Sequence, residues 1–361
     1  MPSLTDILAD DDDADGPLLG CFPLYPPVEL FHAMGLRPVV LWGLRDLFPT
    51  TPLADLHLQS YTCSVARRLT EAVLADPTPY CGLFAINSCD TLRNLPEILE
   101  QGTRGRTPPL LRMHAPAVSR EQTPTSVAYL EARIDELIGA VSSTFGVRFS
   151  QRRFEHSVAQ YREMRRLALE AEEVVAESRA SFRALQELAL AGAYSSVSWQ
   201  IEALRSFLDG QRARREPGRR VALSGILPPP GAVTDIIEAA GLTVVANDIA
   251  LMHRSWAHTP ECADPAQYYV DSHWSRFPCT TALHASDRRV EAIEGLVGRS
   301  GARGLIFIGE KFCECEHLEL PYLEERLRRL GVRTLVLEVS QECDAREQTR
   351  TRVEAFAEIL G

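Results

Sequence analysis

Nine cysteines are spread through a chain of 361 residues, an odd count with no Cys-x-x-Cys pair among them. In a long chain such a set disfavours a disulfide framework and favours thiolate chemistry or plain use as small buried side chains. Three of the nine share a setting. Cys89 follows the apolar run Gly82–Asn87, Cys313 follows Gly304–Gly309, and Cys63 opens the amphipathic stretch Ser-Val-Ala-Arg-Arg. Each thiol falls beside the carboxyl end of an expected strand or at the start of an expected helix, where open α/β sheets hold their ligands. The separations are 26 residues from Cys63 to Cys89 and 224 from Cys89 to Cys313, too long for a zinc ribbon or a ferredoxin-type site. Spacing alone therefore leaves the buried-cysteine reading open. If all three are ligands of an iron–sulfur cluster, which normally takes four thiolates, one iron keeps a position for water, hydroxide or a substrate atom.

The elements that must carry these thiols can be read from hydrophobic periodicity. Apolar runs at Pro38–Gly43, Gly82–Asn87 and Leu110–Met113, then at Val221–Ile226, Leu242–Asn247, Gly304–Gly309 and Arg333–Val339, predict buried parallel strands. Helical patterns at Tyr61–Leu74, Leu92–Gln101, Val233–Ala240, Asp287–Gly298 and Leu320–Leu330 alternate with them. The fold class is thus α/β, with two flavodoxin/Rossmann-like parallel-sheet domains. Between them Thr123 to Arg215 has little strand character and an apolar stripe at helical spacing through Phe154, Val158, Tyr161, Met164 and Ala168. The expected division is an acidic disordered leader over 1–17, an N-terminal α/β domain over 18–122, a helical connecting segment over 123–216 and a C-terminal α/β domain over 217–361.

Composition excludes several function classes. Net charge is −11, and no basic stripe interleaved with aromatics stands out, which argues against nucleic acid as a partner. No run approaches the roughly 18 apolar residues of a membrane helix, and the acidic start lacks the basic and apolar regions of a signal peptide. Lys311 is the single lysine and does not follow a glycine-rich run, so there is no Walker-type ATP site. A reducing cytoplasm suits the cysteine usage.

Several segments, in order along the chain, carry a resemblance. They are Gly20-Cys-Phe-Pro-Leu-Tyr-Pro-Pro-Val-Glu-Leu30, Ala33-Met-Gly, Ser60-Tyr-Thr-Cys-Ser64, Asn87-Ser-Cys-Asp-Thr-Leu92, Glu310-Lys-Phe-Cys313, Leu320-Pro-Tyr-Leu323 and Thr349-Arg-Thr-Arg-Val-Glu-Ala-Phe356. Together they resemble the shorter subunits of the 2-hydroxyacyl-CoA dehydratase and benzoyl-CoA reductase family, over nearly the whole chain. The resemblance implies a [4Fe–4S] cluster on Cys63, Cys89 and Cys313, a related paralogous subunit as heterodimer partner, and a separate ATP-dependent iron–sulfur activator. It also implies a chemistry. A single low-potential electron reduces the thioester carbonyl of an acyl-CoA, and the resulting ketyl can expel a 2-hydroxyl whose neighbouring β-hydrogen is not otherwise acidic; in the reductase branch the electron enters an aromatic ring. The absence of a phosphate loop fits ATP being handled by the activator.

Other residues have bland and functional readings side by side. Glu29 matches a family motif whose carboxylate lies near the cluster and could move protons; it could equally be a first-turn acid after Pro26-Pro27. Ser64 and Ser88 are expected as helix caps rather than donors to cluster sulfurs. Arg350 and Arg352 stay unassigned to substrate, and His32, His57 and His317 read as structural. Cys21, Cys81, Cys262, Cys279, Cys315 and Cys343 remain. Cys315 could offer an alternative thiolate, and Cys279 falls where double-cubane-cluster relatives carry cysteine-rich loops. Those relatives need a further thiolate around Pro23 to Tyr25, which this chain lacks, with Cys21 displaced. A double-cubane reductase and a non-catalytic partner or assembly subunit are the alternative readings.

Overall fold

The computed structural model describes residues 16–103, 105–118, 122–211, 218–282, 286–339 and 346–361. Residues 1–15 of the expected leader, and Cys343, lie outside them. Eight strands form two sheets: β1 (Leu18–Cys21), β2 (Arg37–Val40), β3 (Tyr80–Ile86) and β4 (Leu110–Met113) in one, β5 (Arg219–Gly225), β6 (Leu242–Asn247), β7 (Gly304–Glu310) and β8 (Arg333–Val339) in the other. The sheet orders are β2-β1-β3-β4 and β6-β5-β7-β8, the same order in each half, and every pairing is parallel. Parallel strands need crossovers and cover on both faces, which is why the central strands read as unbroken apolar runs; all seven residues of β7 are buried.

The first sheet is covered by α1 (Val28–Ala33), α2 (Ser64–Ala75) and α3 (Asp90–Thr103). Four helices follow: α4 (Pro124–Phe145), α5 (Gln151–Ala176), α6 (Phe182–Gly192) and α7 (Val197–Asp209). The second half of the chain carries α8 (Gly231–Ala239), α9 (His253–Trp256), α10 (Pro265–Ser275), α11 (Ser286–Ser300), α12 (Glu314–His317), α13 (Leu320–Arg329) and α14 (Arg346–Ile359), of which α10 packs against α4 in the core of the first sheet. The middle helices start where side chains can satisfy free backbone donors. Thr123 and Ser126 form a reciprocal capping box at α4, while Ser181 and Ser196 cap α6 and α7. Gly146 ends α4 in the left-handed region at φ 68°, a conformation that costs a residue with a Cβ.

The predicted stripe on α5 is buried along its length, and it joins two cores. Phe154 and Val158 pack with α1 and α4 beneath the first sheet, and Tyr161, Met164 and Ala168 enter a core that also holds Val39 and Leu83 of the first sheet and Leu223 and Ile306 of the second. A polar clamp fixes the same helix to the second sheet: Glu172 accepts from Asn247 Nδ2 at 2.7 Å and lies 2.8 Å from His253 Nδ1. Burial pushes His253 down, but the Glu172 carboxylate more than reverses this and holds it above the ordinary histidine value.

Two expectations are corrected. Strand β1 lacks a long apolar run and is absent from the predicted set, and the run expected at Pro38–Gly43 ends as a strand at Val40 and continues as a 3₁₀ helix over Leu41–Leu47. Gly43 explains the close packing there, since a Cβ on it would come within 2.6 Å of the Leu190 carbonyl on α6.

Candidate functional site

In each sheet the strand order reverses beside the first strand, so β1 with β3, and β5 with β7, flank the crevice where open α/β sheets bind ligands. The chain leaving these four strands supplies Leu24 after β1, Cys89 after β3, Ile226 after β5, and Glu310 and Cys313 at and after the end of β7. All five line one pocket, joined by Cys63. The pocket encloses about 500 Å³ of empty space with its mouth, between the two switch points. Apart from the thiols, Glu310 and Thr281, its walls are apolar, formed by residues such as Trp42, Val65, Leu69 and Leu92.

Local structure aims each thiol. Cys63 is the residue before the first turn of α2, where the free N–H groups of Val65 and Ala66 favour the thiolate form of its sulfur. Cys89 stands in the same relation to α3, with the Leu92 N–H donating to Sγ at 3.5 Å. Cys313 closes a turn from the end of β7, its N–H donating to the Glu310 carbonyl at 3.0 Å. Phe312 inside that turn sits at φ 66°, which costs a non-glycine residue about 1–2 kcal/mol. The short helix α12 then folds back so that a Cβ on Gly309 would meet the His317 ring at 2.8 Å.

Burial pushes the Cys63 thiol up to about 12, and charge on Cys89 and Glu310 adds to this. Cys313 is raised by burial, then by Glu316 and by Cys63, Cys315 and Cys89, and burial also raises Cys89. Charge on Cys89 thus acts on both Cys63 and Cys313 across the pocket. To become thiolates they need positive charge in the pocket, and binding it releases their protons. Backbone N–H groups aimed at two of the sulfurs favour the thiolate form, as they do around iron–sulfur clusters. Among the described residues, no three His, Cys, Asp or Glu side chains converge closely enough to share a single metal ion. Thiolates on one tetrahedral ion lie within about 4 Å of each other, given metal–sulfur bonds of about 2.3 Å. Ligands on separate corners of an iron–sulfur cube are spaced more widely, and cysteine sulfurs are the donor type such a cube takes.

Glu29 does not line this pocket. It sits in the first turn of α1, buried, paired with Arg165 and accepting from Tyr268 Oη at 3.0 Å and Tyr269 Oη at 3.1 Å. Burial pushes its carboxyl up, but Arg165 and these donors outweigh it and keep the group below its ordinary value. Ser64 and Ser88 act otherwise than expected. Ser64 donates to Glu310 Oε2 at 2.7 Å, tying α2 to the end of β7, and Ser88 Oγ accepts from the Leu24 N–H at 3.1 Å, holding together the loops after β1 and β3. His32 bonds Ser157, and Arg352 donates to the Val336 carbonyl at 2.7 Å. Cys21 is buried in the other core, its thiol donating to the Leu19 carbonyl. Cys315 is half-buried near Cys89, its thiol pushed up to about 11, mainly by burial.

Sequence reasoning missed Glu310 and Trp42 on the pocket wall, and a buried charge network behind it. Arg254 and Arg289 share Asp248 Oδ2 at 3.2 and 3.0 Å, Arg254 also reaches Glu316 at 2.8 Å, and Arg289 pairs with Glu319 and donates to Ser224 at 3.1 Å. Cys279 belongs to this network, accepting from Arg254 Nη1 at 3.2 Å; burial raises its thiol, but Arg254 and the neighbouring Thr281 hydroxyl at 3.0 Å bring it below the ordinary value. The network anchors α12 and α13, and hence the chain just after Cys313.

Two parallel sheets whose switch points face a three-thiol pocket define the class: a paired α/β protein with a candidate thiolate site at the junction of its halves. The family comes from the whole sequence. The family described as 2-hydroxyglutaryl-CoA dehydratase, D-component, matches residues 23–360, and the chain belongs to it. It is 26% identical to the beta subunit of (R)-2-hydroxyglutaryl-CoA dehydratase from Acidaminococcus fermentans, covering 95% of this chain and 92% of that one. Identity to the beta subunit of lactoyl-CoA dehydratase from Anaerotignum propionicum is 25%, covering 95% and 91%. A subunit of the benzoyl-CoA reductase from Thauera aromatica is 22% identical, over 96% and 92%. No helix among the described residues is long and apolar enough to cross a membrane.

Proposed function

We propose that this chain is one subunit of an enzyme acting on acyl-CoA thioesters, a 2-hydroxyacyl-CoA dehydratase or a benzoyl-CoA reductase-like enzyme, and that Cys63, Cys89 and Cys313 hold a [4Fe–4S] cluster. The observation that carries this reading is the meeting of three cysteines, from both halves of a chain matched by the family from end to end, in a single apolar pocket. When bound, the cluster would supply single low-potential electrons, and with only three protein thiolates for four irons one iron would keep a position open.

The chain's own residues do the rest. The two helix starts present N–H groups to Cys63 and Cys89, the Ser64–Glu310 bond holds the halves together at the pocket rim, and the apolar walls exclude water. Glu29, held ionised by Arg165 and two tyrosines, enters the reading as a positioning residue of the neighbouring cavity. The partner is a related paralogous subunit, and the electron comes from an ATP-hydrolysing iron–sulfur activator. The test is anaerobic co-purification with a candidate partner, then assay with activator and a panel of acyl-CoA thioesters. Thioester consumption is expected only when ATP, activator and both subunits are present; turnover undiminished without this chain or without ATP contradicts the reading.

A further inference from the structure

A cavity separate from the cysteine pocket opens beside the first residues of β2 and encloses about 970 Å³ with its mouth; the two linings have no residue in common. Arg37 starts β2, an edge strand, so this cavity lies toward the amino ends of the first sheet. Cys89 and Cys313 lie past the carboxyl ends of β3 and β7. The wall is cationic and hydroxylated. Arg37, Arg153, His32 and His156 line it with Gln160 and the serines at 195, 196 and 198, and no aspartate or glutamate is among the described lining residues.

The fold aims these groups at one space. Arg37 is 6% exposed, and its Nη2 donates to the Tyr194 carbonyl at 3.3 Å, which sets the guanidinium against the turn between α6 and α7. A charge so far from solvent acts strongly on any ion beside it, because little water screens the pair. Arg153, in the first turn of α5, reaches over Gly35: its Nη1 lies 3.8 Å from where a Cβ on that glycine would stand, and its Nη2 donates to the Arg148 carbonyl at 2.6 Å. Ser196 Oγ accepts from the Trp199 N–H at 3.1 Å and lies 3.0 Å from Ser198 Oγ. The N–H groups of Val197 and Ser198, both on the cavity wall, have no partner within α7. The buried Gln160 amide oxygen has no hydrogen-bond partner among the described residues, a cost that a hydroxyl on a ligand removes.

Guanidinium forks, hydroxyls and helix N–H groups together match a phosphate ester, which brings three acceptor oxygens and about two negative charges. A carboxylate, with two oxygens and one charge, leaves much of this donor set unused. Pro38 and Tyr161, both buried, belong to the walls of this cavity and of the larger one that Glu29 lines. A thioester held at the thiols would have to pass that wall to place its phosphates here. We propose that this cavity binds a small phosphate monoester distinct from the thioester substrate, with the phosphate on Arg37, Arg153 and the start of α7 and a hydroxyl on Gln160. The proposal is independent of the cluster and acyl-thioester readings.

Isothermal titration calorimetry of the full-length protein with glycerol 3-phosphate, and with glycerol as the uncharged control, tests it. Glycerol 3-phosphate is expected to bind one per chain, and glycerol to give no binding heat. Arg153→Gln should weaken the ester at least about tenfold, the order one charge-assisted pair supplies. Arg133→Gln, which removes an exposed arginine paired with Glu136 on α4, should leave binding unchanged. Arg37→Gln, verified as folded by circular dichroism, should also weaken it at least about tenfold. Absence of glycerol 3-phosphate binding, or equal effects of Arg153→Gln and Arg133→Gln, overturns the proposal. Displacement of bound glycerol 3-phosphate by CoA overturns it as well, since the cavity would then serve the substrate's own phosphates; binding that persists in saturating CoA supports a separate ligand.

Discussion

Cys313→Ser is expected to strip most of the iron from anaerobically purified protein, and Cys63→Ser and Cys89→Ser to do the same, while Cys21→Ser and Cys262→Ser leave it in place. The contrast follows from position rather than residue type. The first three thiols line one pocket, where charge on Cys63 and Cys89 raises Cys313; Cys21 lies in a different core bonded to the Leu19 carbonyl, and Cys262 is exposed. A serine hydroxyl is a far poorer ligand for cluster iron than a thiolate, so a cluster held by three protein sulfurs has little left when one is lost. Iron and acid-labile sulfide per chain are the readout, with circular dichroism to verify folding. Equal iron retention in the Cys313→Ser and Cys21→Ser proteins removes the ligand assignment.

The second large effect is on stability. Arg254→Leu removes one of the two cations that Asp248 and Glu316 share, leaving Arg289 alone among the buried carboxylates, and takes from Cys279 its guanidinium donor. Breaking a buried ion pair from one side costs about 3–5 kcal/mol. The network already carries three carboxylates, Asp248, Glu316 and Glu319, against two arginines. Burial raises Glu319 above its ordinary value despite Arg289. The loss is measurable as a fall in the urea midpoint, with Arg254→Lys, which keeps the charge without the fork, falling between. A change below about 1 kcal/mol for Arg254→Leu, the scale of an exposed pair, contradicts the anchoring role given to this network.

Much of the fold is legible because parallel strands buried on both faces leave long apolar runs. Those at Gly82–Asn87 and Gly304–Gly309 locate β3 and β7, and with them Cys89 and Cys313. Strand β1 is not legible, since Leu18–Cys21 is four residues long and contains a glycine. The common strand order of the two halves is hidden as well, because packing constrains the size and polarity of residues and leaves no repeated sequence. Glu29 stands out in the sequence, but its environment of Arg165, Tyr268 and Tyr269 comes from positions more than a hundred residues away. The Arg254 network is no easier to read, since it joins residues from 6 to 65 positions apart across several elements. Long-range charge pairing leaves no local pattern, whereas strand ends and helix starts do.

The central claim concerns what the three thiols hold, and metal analysis of the wild-type protein, purified without oxygen, tests it most directly. The account predicts about four irons and about four acid-labile sulfides per chain. Protein that carries zinc, or no metal, when prepared and reconstituted under those conditions contradicts it.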